Sequence, residues 1–139
     1  MIGVLGAGIL GAYLSEISNQ VPILVYRNGP SLTIIPEKTS YHIGDPVRIR
    51  IINSGTVPLT FGDSSYGLKI LGLDGTVIYS PPSTHIPSIL NPREEKIIVW
   101  DQTKTDGSKI FQGEYKIVSS ASLYTGNVLQ KSVTISIFQ

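Results

Sequence analysis

The sequence predicts a mainly β protein, an Ig-like antiparallel β-sandwich preceded by an apolar helix and an extra strand. From Ser31 to Gln139, short runs rich in Val, Ile, Thr, Tyr and Phe alternate with clusters of Gly, Pro, Asp and Asn, at roughly the 8–12-residue spacing of sandwich strands. In the clearest runs the apolar residues recur at every second position, the period of a strand with one buried face. Before Ser31 stands a different texture: "IGVLGAGILGAYL", residues 2–14, holds no charge and no strong polar group. The expected organisation is an apolar membrane or assembly helix over residues 1–20, a strand or linker over 21–30, and the sandwich over 31–139.

As a helix, residues 2–14 would rise about 20 Å, less than the roughly 30 Å hydrocarbon core of a bilayer. Gly3, Ala7 and Gly11 recur at four-residue spacing, as do Gly8 and Ala12, so the helix would carry a stripe of small residues that lets another backbone approach closely. That stripe is the expected assembly face. A basic n-region and an A-x-A-like site are both missing, so the segment reads as an anchor more than as a cleaved signal. "SNQVP" ends the helix, because Pro22 lacks an N–H and disfavours the helical region at Val21. Val21, Ile23 and Val25 then alternate as in a strand, one that could pair with the sandwich edge or be donated to a neighbour's sheet. "NGPS" is the turn that follows.

In the sandwich region "SLTII" opens the first strand. "VRIRII" places Val47, Ile49 and Ile51 on one face with Arg48 and Arg50 on the other. After the turn "NSGTVP" come "LTF", "GLKILGL", "TVIYS", "KIIVW", "EYKIVSS" and "KSVTISIF". In the last, Val133, Ile135 and Ile137 are expected to face in and Ser132, Thr134 and Ser136 to face out. Nothing after residue 30 has helical periodicity.

Composition bounds the chemistry. A formal charge of +1 on 139 residues, with 15% charged, offers no electrostatic field to gather nucleic acid, and no nucleic-acid partner is expected. The chain has no cysteine, hence no disulfide, no thiolate nucleophile and no Cys-ligated metal. "GAGILG", Gly6 to Gly11, matches the G-x-G-x-x-G of dinucleotide sites, and Arg27 even stands where a 2′-phosphate would be held. Such a site also needs alternating helices to build a parallel sheet, and after Val25 the sequence supplies none. The glycines therefore read better as the packing face of a helix. His42 and His85 are the only histidines, in separate segments; with Asp45 they lack the spacing of a ligand cluster, so no metal and no cofactor is expected. "GDSSYG" has serines without the spacing of a nucleophile elbow and reads as a turn. No catalytic residue is assigned, and the chain is expected not to be an enzyme.

Trp100 is expected to anchor the core, with Asp101 capping the turn into "QTKTDGS". Tyr66, Tyr79, Tyr115 and Tyr124 read as edge or core aromatics. The stretch Pro81–Pro87, with Pro81, Pro82, His85 and Pro87, is long and proline-marked, and is the candidate binding loop.

The run "SYHIGDPVRIRIINSG", Phe61, "YGLKILGLDG", "LNPREEKIIVWDQT" and "GEYKI" resembles the BsuPI-type domain, the Ig-like family named after the intracellular proteinase inhibitor of Bacillus. The resemblance is carried by Tyr41, Gly44, Val47, Asn53, Trp100-Asp101 and Gly113-Tyr115, and covers residues 31–120. It implies an Ig-like sandwich and, as one function, a proteinase inhibitor presenting a loop. The first thirty residues are similar, in architecture alone, to archaeal pilin-like and archaellum-stator surface proteins, in which an apolar N-terminal segment anchors or polymerises a sandwich. Together these readings predict an extracytoplasmic, non-catalytic protein, membrane-anchored or in a surface filament. Its expected partners are its own copies or membrane and cell-envelope proteins. A proteinase inhibitor is the alternative, and nucleotide binding through "GAGILG" the third reading.

Overall fold

A computed structural model describes residues 22–139, and every regular element in that range is a strand. The ten strands are β1 (Leu32–Pro36), β2 (Ser40–His42), β3 (Val47–Asn53), β4 (Leu59–Phe61), β5 (Leu68–Gly72), β6 (Val77–Tyr79), β7 (Ser88–Leu90), β8 (Glu95–Trp100), β9 (Gly113–Ser122) and β10 (Val128–Phe138). They form two sheets. The smaller has the order β1-β3-β8; the larger has the order β2-β10-β9-β4-β7, with β5 also paired to β9 and β6 to β5. All ladders are antiparallel except β2 with β10, so the larger sheet is mixed where a purely antiparallel one was expected. That exception arises where the chain changes sheets. Glu37 N still donates to Arg48 O of β3 (3.0 Å), and only two residues later Thr39 O accepts from Ser136 N of β10 (2.9 Å).

The core lies between the sheets and follows the period-2 pattern. Val47, Ile49 and Ile51 of β3 are fully buried, whereas Arg48 is exposed and Arg50 half-buried. On β10, Ile135 and Ile137 are buried and Val133 packs against the core, while Ser132 is exposed and Thr134 and Ser136 are half-buried. Trp100 has no exposed surface, donates from its indole Nε1 to Thr103 O (2.8 Å), and meets Tyr115 edge-on with ring centroids 6.1 Å apart. Asp101 accepts from the Thr103 hydroxyl, as a capping residue would. Tyr115 enters β9 with its hydroxyl donated to Phe111 O (2.6 Å), the corner device by which Ig-type sandwiches fix the start of a central strand.

The predicted helix over residues 1–20, with Gly3, Ala7 and Gly11, lies outside the described residues, as does Val21. The extra strand is only partly within them. From Pro22 to Arg27 the chain has no regular secondary structure, which corrects the reading of "VPILVYR" as a strand in a single chain. Apolar alternation makes a segment suited to a sheet, but a ladder needs a partner. Here one backbone hydrogen bond, Arg27 N to Ser54 O (2.8 Å), ties the segment to the sandwich.

Candidate binding loop and sheet edges

The proline-marked loop runs from Ser80 to Pro87 between β6 and β7 without secondary structure. Pro82 to Pro87 are exposed, Ile86 at 69%. It is nonetheless held at several points. Ser80 N donates to Thr105 Oγ1 (3.1 Å), Thr84 N to Ser64 Oγ (2.9 Å), and, past its end, the Ser88 hydroxyl to Asp63 O (2.8 Å). The support is the turn "GDSSYG", where Asp63 Oδ1 accepts from both Ser65 Oγ (2.6 Å) and Ser65 N (2.9 Å). Those bonds from Ser65 favour the charged form and hold the Asp63 carboxyl below the usual carboxylate range, with the Ser83 hydroxyl and His85 adding to the effect. A loop carrying three prolines and fixed to its neighbour at its middle is pre-shaped for a partner.

Near the other end of β1, the N-terminal segment lies along a groove of about 190 Å³ whose walls include Ile23, Val25, Leu32, Ile34 and Ser132. Ile23 is 82% and Val25 49% exposed, so the groove covers them incompletely. The turn Asn28–Pro30 rests on residues 54–56: Gly29 N donates to Thr56 Oγ1 (2.8 Å) and Thr56 N to Gly29 O (2.9 Å). Gly55 permits that approach, since a Cβ there would collide with the Gly29 carbonyl oxygen. Tyr26 stacks under the Arg93 guanidinium, 4.4 Å from its ring centroid.

The strand parity identifies the unpaired edges. Ser54 N donates to Ser31 O, and Arg48 O accepts from Glu37 N, so the even residues of β3 point their backbone groups at β1 and the odd ones at β8. With the register Ile49↔Ile98 and Ile51↔Lys96, the even residues of β8 bond to β3. Glu95, Ile97 and Val99 therefore turn their N–H and C=O groups to the open side. On the exposed face of the same strand, Ile97 and Val99 are 43% and 49% exposed, while Glu95 forms a two-pronged ion pair with Arg50 (2.9 and 3.0 Å). That pairing lowers the proton affinity of Glu95 and raises that of Arg50. The same reasoning leaves Leu32 and Ile34 of β1, and Gln130, Ser132 and Thr134 of β10, with unpaired backbone groups.

Sequence reasoning read "KIIVW" as a strand and did not find this edge. Ile97 and Ile98 are both apolar although they face opposite ways, so the run looks buried on both sides; only the pairing register exposes one of them. Of the other candidates, His42 lies in β2 with its ring edge-on to Phe138 (4.4 Å), and His85 is in the proline loop. Asp45 belongs to the β2–β3 turn. Gln102, 3% exposed, staples that turn by donating from Nε2 to His42 O (2.9 Å) and Asp45 O (2.8 Å) and accepting from Gly44 N at Oε1 (2.9 Å). Among the described residues no three His, Asp or Glu side chains gather as metal ligands.

No family model matches the sequence. No curated protein matches it either. The BsuPI-type resemblance thus rests on the residues quoted above. Solved structures similar to the chain include Spo0M, a sporulation control protein from Bacillus subtilis, with a TM-score of 0.50 at 16% identity over 79% of this chain. This chain spans 49% of Spo0M. Also similar are the CARDB domain of a Pyrococcus furiosus protein in complex with di-metal ions (TM-score 0.44, 16% identity, 78% of this chain and 94% of that one) and the Yersinia pseudotuberculosis adhesin InvE (TM-score 0.37, 13% identity, 80% and 33%). At this level of identity the likeness to Spo0M concerns the fold alone, and it agrees with an Ig-like β-sandwich.

Proposed function

We propose that this chain is a non-catalytic interaction protein of the cell surface, anchored in a membrane or polymerised into a fibre through residues 1–20, with the sandwich as its exposed body. The observation that carries this reading is the apolar chain leading into the sandwich. A charge-free run with small residues at four-residue spacing is followed by Pro22–Tyr26, whose Ile23 and Val25 remain exposed and outside any ladder. Such a segment gains buried area and main-chain bonds once a second molecule or a bilayer covers it. Its partners would be further copies of this chain or envelope proteins. The test is membrane fractionation of the full chain beside a variant lacking residues 1–27, with circular dichroism to establish that the variant is folded. The full chain is expected with the membrane or in fibres seen by electron microscopy, and the variant as soluble monomer. A variant that still sediments with membranes or polymerises would end the proposal.

The pinned and exposed Ser80–Pro87 loop supports a second reading, a proteinase inhibitor that offers Ile86 and its neighbours to a protease cleft. Inhibition of a serine protease that is abolished by Ile86→Asp would favour it. Nucleotide binding through "GAGILG", which lies outside the described residues, is the third reading. Flat titrations of the full chain with NAD and NADP would dispose of it.

A further inference from the structure

Unpaired strand edges invite association, and proteins blunt them with short strands, proline, polar residues or a covering segment. Those devices account for the other open edges among the described residues. β2, β6 and β7 have three residues each, β1 ends in Pro36 and has the N-terminal segment beside it, and β10 presents Gln130, Ser132 and Thr134 after a single exposed apolar residue, Val128, at its start. β8 is different: it has six residues, an uncovered edge, and Ile97 and Val99 exposed on its outer face. We propose that β8 pairs with β8 of a second copy, antiparallel and centred on Ile97, joining the two small sheets into one continuous sheet. The proposal rests on the reading of the chain as self-associating through residues 1–20: these bring the copies to a high local concentration, and β8 is the contact the sandwiches then make, one too small to hold them together once residues 1–27 are removed.

The register follows from the residues. A two-fold axis at Ile97 opposes Ile97 to itself, Glu95 to Val99 of the other copy, and Lys96 to Ile98. The three residues whose backbone groups face the open edge then all fall in hydrogen-bonded pairs, each exchanging two N–H···O=C bonds. No like charges meet. On the outer face, Arg48 lies beside Val99, and Glu95 of the second copy beyond it, so the two rows flanking Ile97 each run from a cation through an apolar residue to an acid. The row through Ile97 buries two isoleucines against each other, flanked on each side by Arg50, which Glu95 already neutralises. Lys96 selects this register: its ammonium lies 5.7 Å from the Tyr66 ring, and a slip centred on Lys96 would set two lysines face to face.

The chain has no cysteine of its own, so single thiols report the pairing cleanly. In the proposed register the two positions 97 lie about 5.5 Å apart at Cα, within disulfide reach, whereas the two positions 99 are about 13 Å apart along the strands. The experiment compares Ile97→Cys, Val99→Cys and Tyr124→Cys in the full chain in mild detergent, under gentle oxidation, with particle mass measured on the same samples. Tyr124 is 87% exposed and serves as the collision control. Ile97→Cys is expected to form covalent dimer about tenfold faster than either other variant, because pairing replaces random encounter with a high local concentration. Equal rates overturn the proposal. If the particles are still multimeric, the self-association reading survives that result; if they are monomeric, both fall. A preferred cross-link between Ile23→Cys and Ile97→Cys molecules would assign the edge to a donated N-terminal segment and also overturn the β8 pairing.

Discussion

Asn53 shows how much of the molecule's shape rests on single buried polar side chains. It has no exposed surface, and its amide donates to Leu90 O (2.7 Å) and Val57 O (2.9 Å) while its oxygen accepts from Gly55 N (3.0 Å). One side chain thus ties the end of β3, the following turn and the end of β7, and with Gly55 it fixes the shelf on which Asn28–Pro30 rests. Asn53→Ala strands two carbonyls and one N–H, and is expected to cost about 2–4 kcal/mol in chemical denaturation. Asp63 supports the proline loop in a way that pH can probe. Its folded-state proton affinity is depressed, so its contribution is present above the unfolded carboxylate value and is lost as pH falls through the lower folded value. Cleavage at the loop is therefore expected to accelerate in that acid window, and Asp63→Asn to show the faster rate at neutral pH. Mass spectrometry of limited digests checks both.

At the scale of strands, legibility depended on how many faces were buried. β3 and β10 each bury one face, so Val47-Ile49-Ile51 and Val133-Ile135-Ile137 could be read from alternation alone. β2 and β7 escaped notice because three residues carry too little pattern: Tyr41 is the only buried residue of β2, and β7 emerges directly from the proline loop. Residues 22–27 failed in the opposite sense, with strand-like residues but no paired edge. The open side of β8 was invisible because register is a property of pairing and not of composition. That same parity makes a sharp prediction. Ile98 uses its backbone N–H in the ladder to β3, whereas Val99 points its own to the open side. In the monomeric sandwich lacking residues 1–27, where no second copy pairs with β8, Ile98→Pro is expected to cost about 2–4 kcal/mol more stability than Val99→Pro, since there only the first removes a ladder bond. Thermal melts of the two variants read the difference directly. Similar losses would mean that the assigned parity of β8 is wrong.

For the whole molecule, the β-sandwich and most of its strands could be read from spacing, because a sandwich of this length repeats the same signals of turn, alternation and turn. The loop Ser80–Pro87 was equally legible, because prolines announce a segment that cannot join a ladder. The change of sheet between β1 and β2 was not, since it depends on Ser136 and Thr39 meeting across nearly a hundred residues of chain. The candidate surfaces share one property: each offers backbone or apolar groups that a second molecule could cover. The proposed function requires association, which the mass of the full chain in mild detergent reports, by light scattering with the detergent subtracted. The expected result is a concentration-dependent particle of at least two 15.1 kDa chains, reduced to one chain when residues 1–27 are removed. A full chain that remains a single 15.1 kDa unit at every concentration, with or without those residues, would contradict it.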